Sequence, residues 1–319
     1  MIVTVTPNPS LDWTLEVPTL LRGAVHRITG QHREASGKGV NVTRALTNND
    51  VTSLAVLVVG GPEGTELESL LQAEKVGYVM VRIADAVRVN ISLTEPDGTA
   101  TKINAIGPML RGSEADELLT AAAAAVAAGD GADWVLGSGS LPGGVDVDFY
   151  ARLGTAVHAG GARFALDSSG AALVSGLAAS PDVIKPNLEE LSEAVGRPLV
   201  TLGDAVEAAR GLLTLGAQSV VVSLGRDGAL LVDSLGVLHA SASVTNPKST
   251  VGAGDALLAG YLAGSLSHGG DRAGALREAV AWGSAAVRVE GSHVPVITDA
   301  DRRAVVLDSE PDSQRRLTN

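Results

Sequence analysis

Short runs of aliphatic and β-branched residues alternate with amphipathic or alanine-rich segments along most of the chain. No other sequence feature restricts the fold as much. The spacing predicts strands over 2–6, 54–59, 78–83, 89–94, 100–104, 134–137, 163–167, 183–185, 219–223 and 229–233. It predicts helices over 40–49, 65–75, 113–128, 147–159, 188–195, 203–215, 253–266 and 272–289, with start signals at Ser113/Asp116 and at Asp271. Parallel strands need crossover connections that cover both faces of a sheet, so the expected fold is α/β, a mostly parallel sheet with helices on both sides. Two regions break the rhythm. Residues 11–35 are polar and show no helical period. Residues 87–108 resemble two strands around the turn Glu95-Pro96-Asp97-Gly98. Together they predict a small β lid. The expected division is therefore an α/β domain from 1–10, 36–86 and 109–308, a lid from 11–35 and 87–108, and a flexible polar tail over 309–319.

Composition removes several classes of function. The 24 Lys+Arg against 36 Asp+Glu give a formal charge of −12, which disfavours nucleic acid or an anionic membrane as partner. With no Cys there is no disulfide, thiolate nucleophile or Cys-ligated metal. Three Trp, three Tyr and two Phe are too few for base-stacking platforms. The start of the chain has no basic segment and soon reaches Pro7-Asn8-Pro9, and no apolar run approaches the length of a membrane span. A cytoplasmic location is expected. The six histidines (26, 32, 158, 239, 268 and 293) show no ligand spacing and are expected to be surface or loop residues.

Three motifs carry chemistry. Thr250-Val251-Gly252-Ala253-Gly254-Asp255 opens into a segment apolar on nearly every face, which predicts a buried helix. Glycines at such a start let backbone N–H groups approach an anion, and the helix dipole favours negative charge there. Asp255 is then either an ordinary cap or a base beside an anion hole. Ser36-Gly37-Lys38-Gly39-Val40-Asn41 is not a phosphate-binding loop of the Walker type. It reads either as a ligand-facing turn with Lys38 and Asn41 as polar contacts, or as a plain glycine turn. Asn187-Leu188-Glu189-Glu190 has the pattern of a capping box, and equally of a place where Mg2+ and phosphates are held. Asp167-Ser168-Ser169-Gly170 ends a strand and is adequately explained as a turn.

In order and spacing these motifs resemble the ribokinase/PfkB carbohydrate kinases, and the likeness runs from about Ile2 to about Ser292. Ser249 stands where most members carry Asp. Thr6-Pro7-Asn8-Pro9-Ser10-Leu11-Asp12 and Arg88-Val89-Asn90-Ile91 resemble the phosphosugar branch, which contains 1-phosphofructokinase, tagatose-6-phosphate kinase and the minor 6-phosphofructokinase. The segment 101–108 is most similar to the 1-phosphofructokinase group. The resemblance implies a ribokinase-like fold and phosphorylation of a sugar phosphate, fructose 1-phosphate before its tagatose-6-phosphate and fructose-6-phosphate rivals. It implies ATP and Mg2+, a monovalent cation such as K+, and a homodimer formed through the lid.

The resemblance also implies roles. Asp255 is the base, with the amides of Gly252, Ala253 and Gly254 facing the transferred group. Asp12, Gly37 and Asn41 hold sugar hydroxyls, and Ser138 begins a loop near the sugar that also reads as a plain turn. Arg27, Lys38 and Arg88 face the sugar phosphate, although Arg27 reads equally as a solvated lid residue. Lys185, Asn187, Ser223, Gly225, Asn246, Lys248 and Gly283 line the ATP site, and Asn187 with Glu190 serves Mg2+. The alternative of another class is a non-catalytic sugar-phosphate or nucleotide sensor, which has no need of a base at Asp255.

Overall fold

A computed structural model describes residues 1–128, 131–267 and 269–318. In chain order it runs β1 (Ile2–Thr6), β2 (Ser10–Glu16), β3 (Gly30–Ser36), α1 (Lys38–Asn48), β4 (Ser53–Val59), α2 (Gly61–Ala73), β5 (Tyr78–Arg82), β6 (Arg88–Thr94), β7 (Ala100–Ile103) and α3 (Gly112–Ala127). It continues with β8 (Trp134–Ser138), α4 (Phe149–Ala159), β9 (Arg163–Asp167), α5 (Gly170–Gly176), β10 (Val183–Ile184), α6 (Leu188–Val195), α7 (Leu202–Thr214) and β11 (Ser219–Ser223). The last part holds β12 (Ala229–Asp233), β13 (Gly236–Ser241), α8 (Ala253–Ser267), α9 (Arg272–Ala286), α10 (Asp299–Arg303) and β14 (Val306–Asp308).

The main sheet has ten strands in the order β14-β13-β12-β11-β10-β9-β8-β1-β4-β5. From β11 to β5 all pairings are parallel, and β12, β13 and β14 add an antiparallel edge. Every residue of β1 is buried, as a strand covered on both sides must be. Val3 and Val5 face the core made with α3 to α7, while Ile2 faces the core made with α1, α8 and α9. Asp271 caps α9 through Ala273 N and Gly274 N, as its position predicts. Helix α3 differs from expectation. It starts at Gly112, and Glu114 rather than Ser113 serves its first turn by accepting from Arg111 N at 2.7 Å. Among the described residues no helix is long and apolar enough to cross a membrane.

A second sheet of four strands, β3-β2-β6-β7, stands apart. The turn at 95–98 joins β6 to β7 as expected, but β2 and β3 were hidden in the patternless stretch. Their outward positions are charged or polar, and the long 17–29 connection carries no hairpin signal. Arg33 binds both oxygens of Glu66 on α2, at 2.7 and 3.0 Å, and lies 4.0 Å from the Trp13 ring centre.

Helices α8 and α9 pack closely through two glycines of α8, which lie against the backbone of α9 and the side chains of Glu278 and Trp282. A Cβ at Gly260 would fall 2.7 Å from Glu278 O, and one at Gly264 would fall 2.9 Å from Ala275 Cα. The polar composition of 309–319 predicts a flexible tail, and the structure instead fastens it. Arg315 O and Ser313 O accept the otherwise free amides of Leu202 and Gly203 at the start of α7, both at 2.9 Å. Thr318 donates twice to Asp227. Asn319 lies outside the described residues.

Candidate active site

The parallel strands end on one edge, and the motif residues collect there because loops leaving that edge enter the helices. Gly252 has φ 73°, and a Cβ there would meet Ser292 at 3.1 Å, so glycine is needed to start α8. The amides of Gly252, Gly254 and Asp255 donate to nothing among the described residues, whereas that of Ala253 bonds Thr250 O at 3.3 Å. Asp255 Oδ2 accepts from Asn41 Nδ2 at 2.8 Å. Asn41 is held in turn by Arg44, whose Nη1 lies 3.5 Å from Asn41 Oδ1 and donates to Ser292 Oγ at 3.2 Å. Arg44 also donates to Ala35 O and to Glu74 Oε2. Because a guanidinium only donates, it fixes the Asn41 oxygen towards itself and the NH2 towards Asp255. Burial, and then the negative charge of Asp167, push Asp255 up to about 6, opposed by the Asn41 hydrogen bond and by Lys38 and Lys185.

Asp167, at the end of β9 and fully buried, is the electrostatic centre. Lys38 Nζ donates to its Oδ1 at 2.8 Å and to Glu190 Oε1 at 3.2 Å, and Lys185 Nζ lies 3.4 Å from its Oδ2. Burial opposes the Asp167 charge, but the two lysines outweigh it and hold the carboxyl below its ordinary value. Burial likewise opposes the Lys38 ammonium, and Asp167 and Glu190 more than compensate, so its pKa is raised. Reading Asp167 as a turn residue is thus corrected. The available signal was an aspartate at the carboxyl end of a parallel strand. Lys185 Nζ lies 3.6 Å from where a Gly254 Cβ would stand, which places the ammonium at the mouth of α8.

Asn187 and Glu190 form the expected capping box. Glu190 N donates to Asn187 Oδ1 at 2.7 Å, and Asn187 N to Glu190 Oε2 at 2.9 Å. Glu190 nevertheless keeps its other oxygen on Lys38. Gly37 (φ 126°) starts α1, and a Gly39 Cβ would fall 2.3 Å from Thr6 Oγ1 and 2.6 Å from Ser138 Oγ. Only glycine lets α1 begin that close to the ends of β1 and β8.

A polar group forms where β2 and β6 meet. Asp12 Oδ1 accepts from Ser10 Oγ at 2.7 Å and Asn90 Nδ2 at 2.9 Å. Arg88 donates to Asn8 O and Ala105 O, while its buried Nε has no partner among the described residues. Burial lowers the Arg88 pKa, against the opposing charge of Asp12. Asn8 Nδ2 reaches Ser140 Oγ and Ile106 O, which joins the 138–144 loop to the β7–α3 connection. The motif reading singled out neither Asn8 nor Ser140. Arg27 is exposed in the 17–29 loop with no hydrogen bond or ion pair among the described residues, and no contact ties it to this group.

On the other side, Ser223 N bonds Pro186 O at 3.1 Å beside Asn187. Gly225 is exposed with φ 58°. Asn246 and Lys248 are exposed on the strand-free approach to α8, with Lys248 N bonded to Val287 O at 2.8 Å. Gly283 lies against α8, where a Cβ would meet Leu257 at 3.3 Å and Ala253 O at 3.4 Å.

A partly buried carboxyl with a raised pKa, unpaired amides at a helix start and two buried or half-buried lysines are groups that phosphoryl-transfer chemistry uses. Comparison with known proteins gives the class a family. A profile described as pfkB family carbohydrate kinase matches residues 10–299, and the chain belongs to that family. It is 39% identical over 300 residues to a 1-phosphofructokinase of Haloferax volcanii, covering 94% of this chain and 95% of that one. It is 36% identical over 295 residues to a 1-phosphofructokinase of Rhodobacter capsulatus, covering 92% of each. The crystal structure of Escherichia coli phosphofructokinase-2 in complex with potassium superposes with a TM-score of 0.87 at 33% identity, covering 95% of this chain and 96% of that one.

Proposed function

We propose that the chain transfers the terminal phosphoryl group of ATP to a hydroxyl of fructose 1-phosphate, giving fructose 1,6-bisphosphate. The observation that carries this is the Asn41–Asp255 pair at the mouth of α8, with Lys38 and Lys185 beside it. The two 1-phosphofructokinase relatives support the choice of sugar phosphate. Asp255 accepts the hydroxyl proton as the oxygen attacks the phosphorus. The free amides of Gly252, Gly254 and Asp255 face the charge on the transferred group, and the Ala253 amide joins them if its turn bond opens. Lys38 spans from the helix-α1 turn to the phosphate side and neutralises charge there. Gly37 and Ser138, with Asp12, Asn41 and Asn90, border the sugar, and Arg88 grips its phosphate. Lys185, Ser223, Gly225, Asn246, Lys248 and Gly283 border the nucleotide.

The carboxylates suit Mg2+, a hard cation that takes oxygen ligands. Asp167 Oδ2 accepts no hydrogen bond among the described residues and faces only the Lys185 ammonium at 3.4 Å, and Glu190 is shared with Lys38 and its own cap. Glu190 and Asp167 would hold the ion, with Asn187 committed to its cap. Bound there, Mg2+ supplies charge neutralisation for the polyphosphate. The neighbour solved with potassium supports a monovalent-cation requirement. We read the four-stranded sheet as a lid over the sugar and, since all of β7 is exposed, as the surface through which two copies pair in the cytoplasm.

A coupled ADP-release assay on a panel of phosphosugars and free sugars tests the reading. The highest kcat/KM is expected with fructose 1-phosphate, ahead of fructose 6-phosphate and tagatose 6-phosphate. Turnover of free sugars alone overturns it. Arg88→Ala is expected to raise KM for the sugar phosphate about 10–100-fold, with KM for ATP changed less than about threefold. Equal changes in both constants remove Arg88 from the sugar-phosphate site. Since a protonated Asp255 accepts no proton, kcat/KM is expected to fall about tenfold per pH unit below about 6, the value to which its burial pushes it. A profile flat down to pH 5 removes Asp255 as the base.

A further inference from the structure

The histidines look scattered in sequence, yet the fold gathers two of them. His32 and Glu34 occupy alternate positions of β3, the edge strand of the small sheet, and so point to the same face. His293, in the segment after α9, comes to that face. One ligating atom from each of the three lies within 4.8 Å of the other two, and His293 Nε2 is 4.0 Å from Glu34 Oε2. Glu34 is 8% exposed, and its Oε2 is buried without a hydrogen-bond donor among the described residues. A desolvated carboxylate oxygen with no donor is costly, so such atoms are normally satisfied by a partner or an ion. Both imidazoles are exposed.

We propose that His32, Glu34 and His293 bind one divalent transition-metal ion, with Zn2+ preferred among the biologically common ones. Two imidazoles and a carboxylate match the ligand preference of zinc, whereas Mg2+ favours oxygen ligands throughout. Tetrahedral coordination sets ligand atoms about 3.3–3.6 Å apart, from metal–ligand distances of about 2.0–2.2 Å. The present spread closes to that through rotation of the two exposed imidazoles. Three protein ligands leave the fourth position to water.

The ion would fasten β3 to the segment following α9. Arg44 already bridges the neighbours of these ligands, since it donates to Ala35 O and to Ser292 Oγ. The metal would therefore clamp, from outside, the two segments whose spacing sets the Arg44–Asn41–Asp255 chain. This site is separate from the carboxylates that suit Mg2+, and its test does not depend on the identity of the sugar substrate.

The test is equilibrium dialysis of the full chain, purified without a polyhistidine tag, against Zn2+ in a buffer containing excess Mg2+. Metal content and thermal midpoint are both read. Saturable uptake of one Zn2+ per chain is expected, with a rise in the midpoint. Glu34→Gln and His293→Ala are each expected to weaken uptake at least about tenfold and to abolish the rise. His26→Ala, remote in the 17–29 loop, is expected to leave both unchanged. Substitution with Co2+ should give the visible spectrum of a tetrahedral site in the parent and not in His293→Ala. Absence of saturable uptake in the parent, or equal uptake in His293→Ala with its zinc-free midpoint unchanged, overturns the proposal.

Discussion

Replacing Asp255 by Asn is expected to lower kcat about 10²–10⁴-fold while KM for the sugar phosphate stays within a few-fold. Asparagine can still accept the Asn41 hydrogen bond through its own oxygen, so the pocket keeps its shape and loses only the proton acceptor. The same substitution should stabilise the protein at neutral and alkaline pH. Asp255 is raised from its ordinary 3.8 to about 6 by burial and by Asp167. Between those values the folded chain binds a proton that the unfolded chain does not. The favourable contribution is therefore complete below the unfolded value and lost as pH rises through about 6. Above that pH the carboxylate costs stability, and asparagine, which does not titrate, is expected to be more stable at pH 8 by about 1–3 kcal/mol. Steady-state kinetics and urea unfolding at pH 5 and pH 8 check both halves. Parent-like turnover in Asp255→Asn removes the base assignment.

Asp167→Ala should cost about 3–5 kcal/mol of stability. Glu190 still engages Lys38 at 3.2 Å, so the uncompensated charge is Lys185, which is 3% exposed. An ammonium left unpaired at that depth either deprotonates or drags water into the sheet edge. The Asp167 carboxyl, held below its ordinary value in the fold, contributes stability above the unfolded carboxylate range and loses it as pH falls through its depressed value. Parent and variant stabilities should consequently converge in acid. A loss under about 1 kcal/mol at pH 7 would mean that Lys185 finds another partner. Activity should fall as well, because both lysines lose the group that aims them.

The parts of this molecule readable from sequence are those encoded locally. The entry into α8, the Asn187–Glu190 box and the parallel strand–helix rhythm each depend on neighbours a few residues apart, and each was found where expected. What escaped depends on distant partners. Strands β2 and β3 pair through backbone groups while carrying charges outward, so their side chains give little periodic signal. Asp167 looks like any turn aspartate until Lys38 and Lys185 arrive from separate elements. Residues 313–318 look like a free polar tail, yet main-chain carbonyls of Ser313 and Arg315 accept the first amides of α7, and Thr318 donates to Asp227. Arg44 sits inside a helix with no motif to mark it, yet it orients the amide that holds the base.

The glycine contacts between α8 and α9 have a consequence for how the site changes. At Gly260 and Gly264 there is no room even for a Cβ against α9 and the side chains of Glu278 and Trp282, so α8 has little space in which to shift. The helix presenting Asp255 is the fixed jaw of a vise. If the small sheet is the lid proposed above, adjustment to a new guest is expected to fall to the opposing jaw of β2, β3, β6 and β7. Laboratory selection for a different sugar should accordingly enrich changes in those four strands and leave the α8–α9 seam untouched.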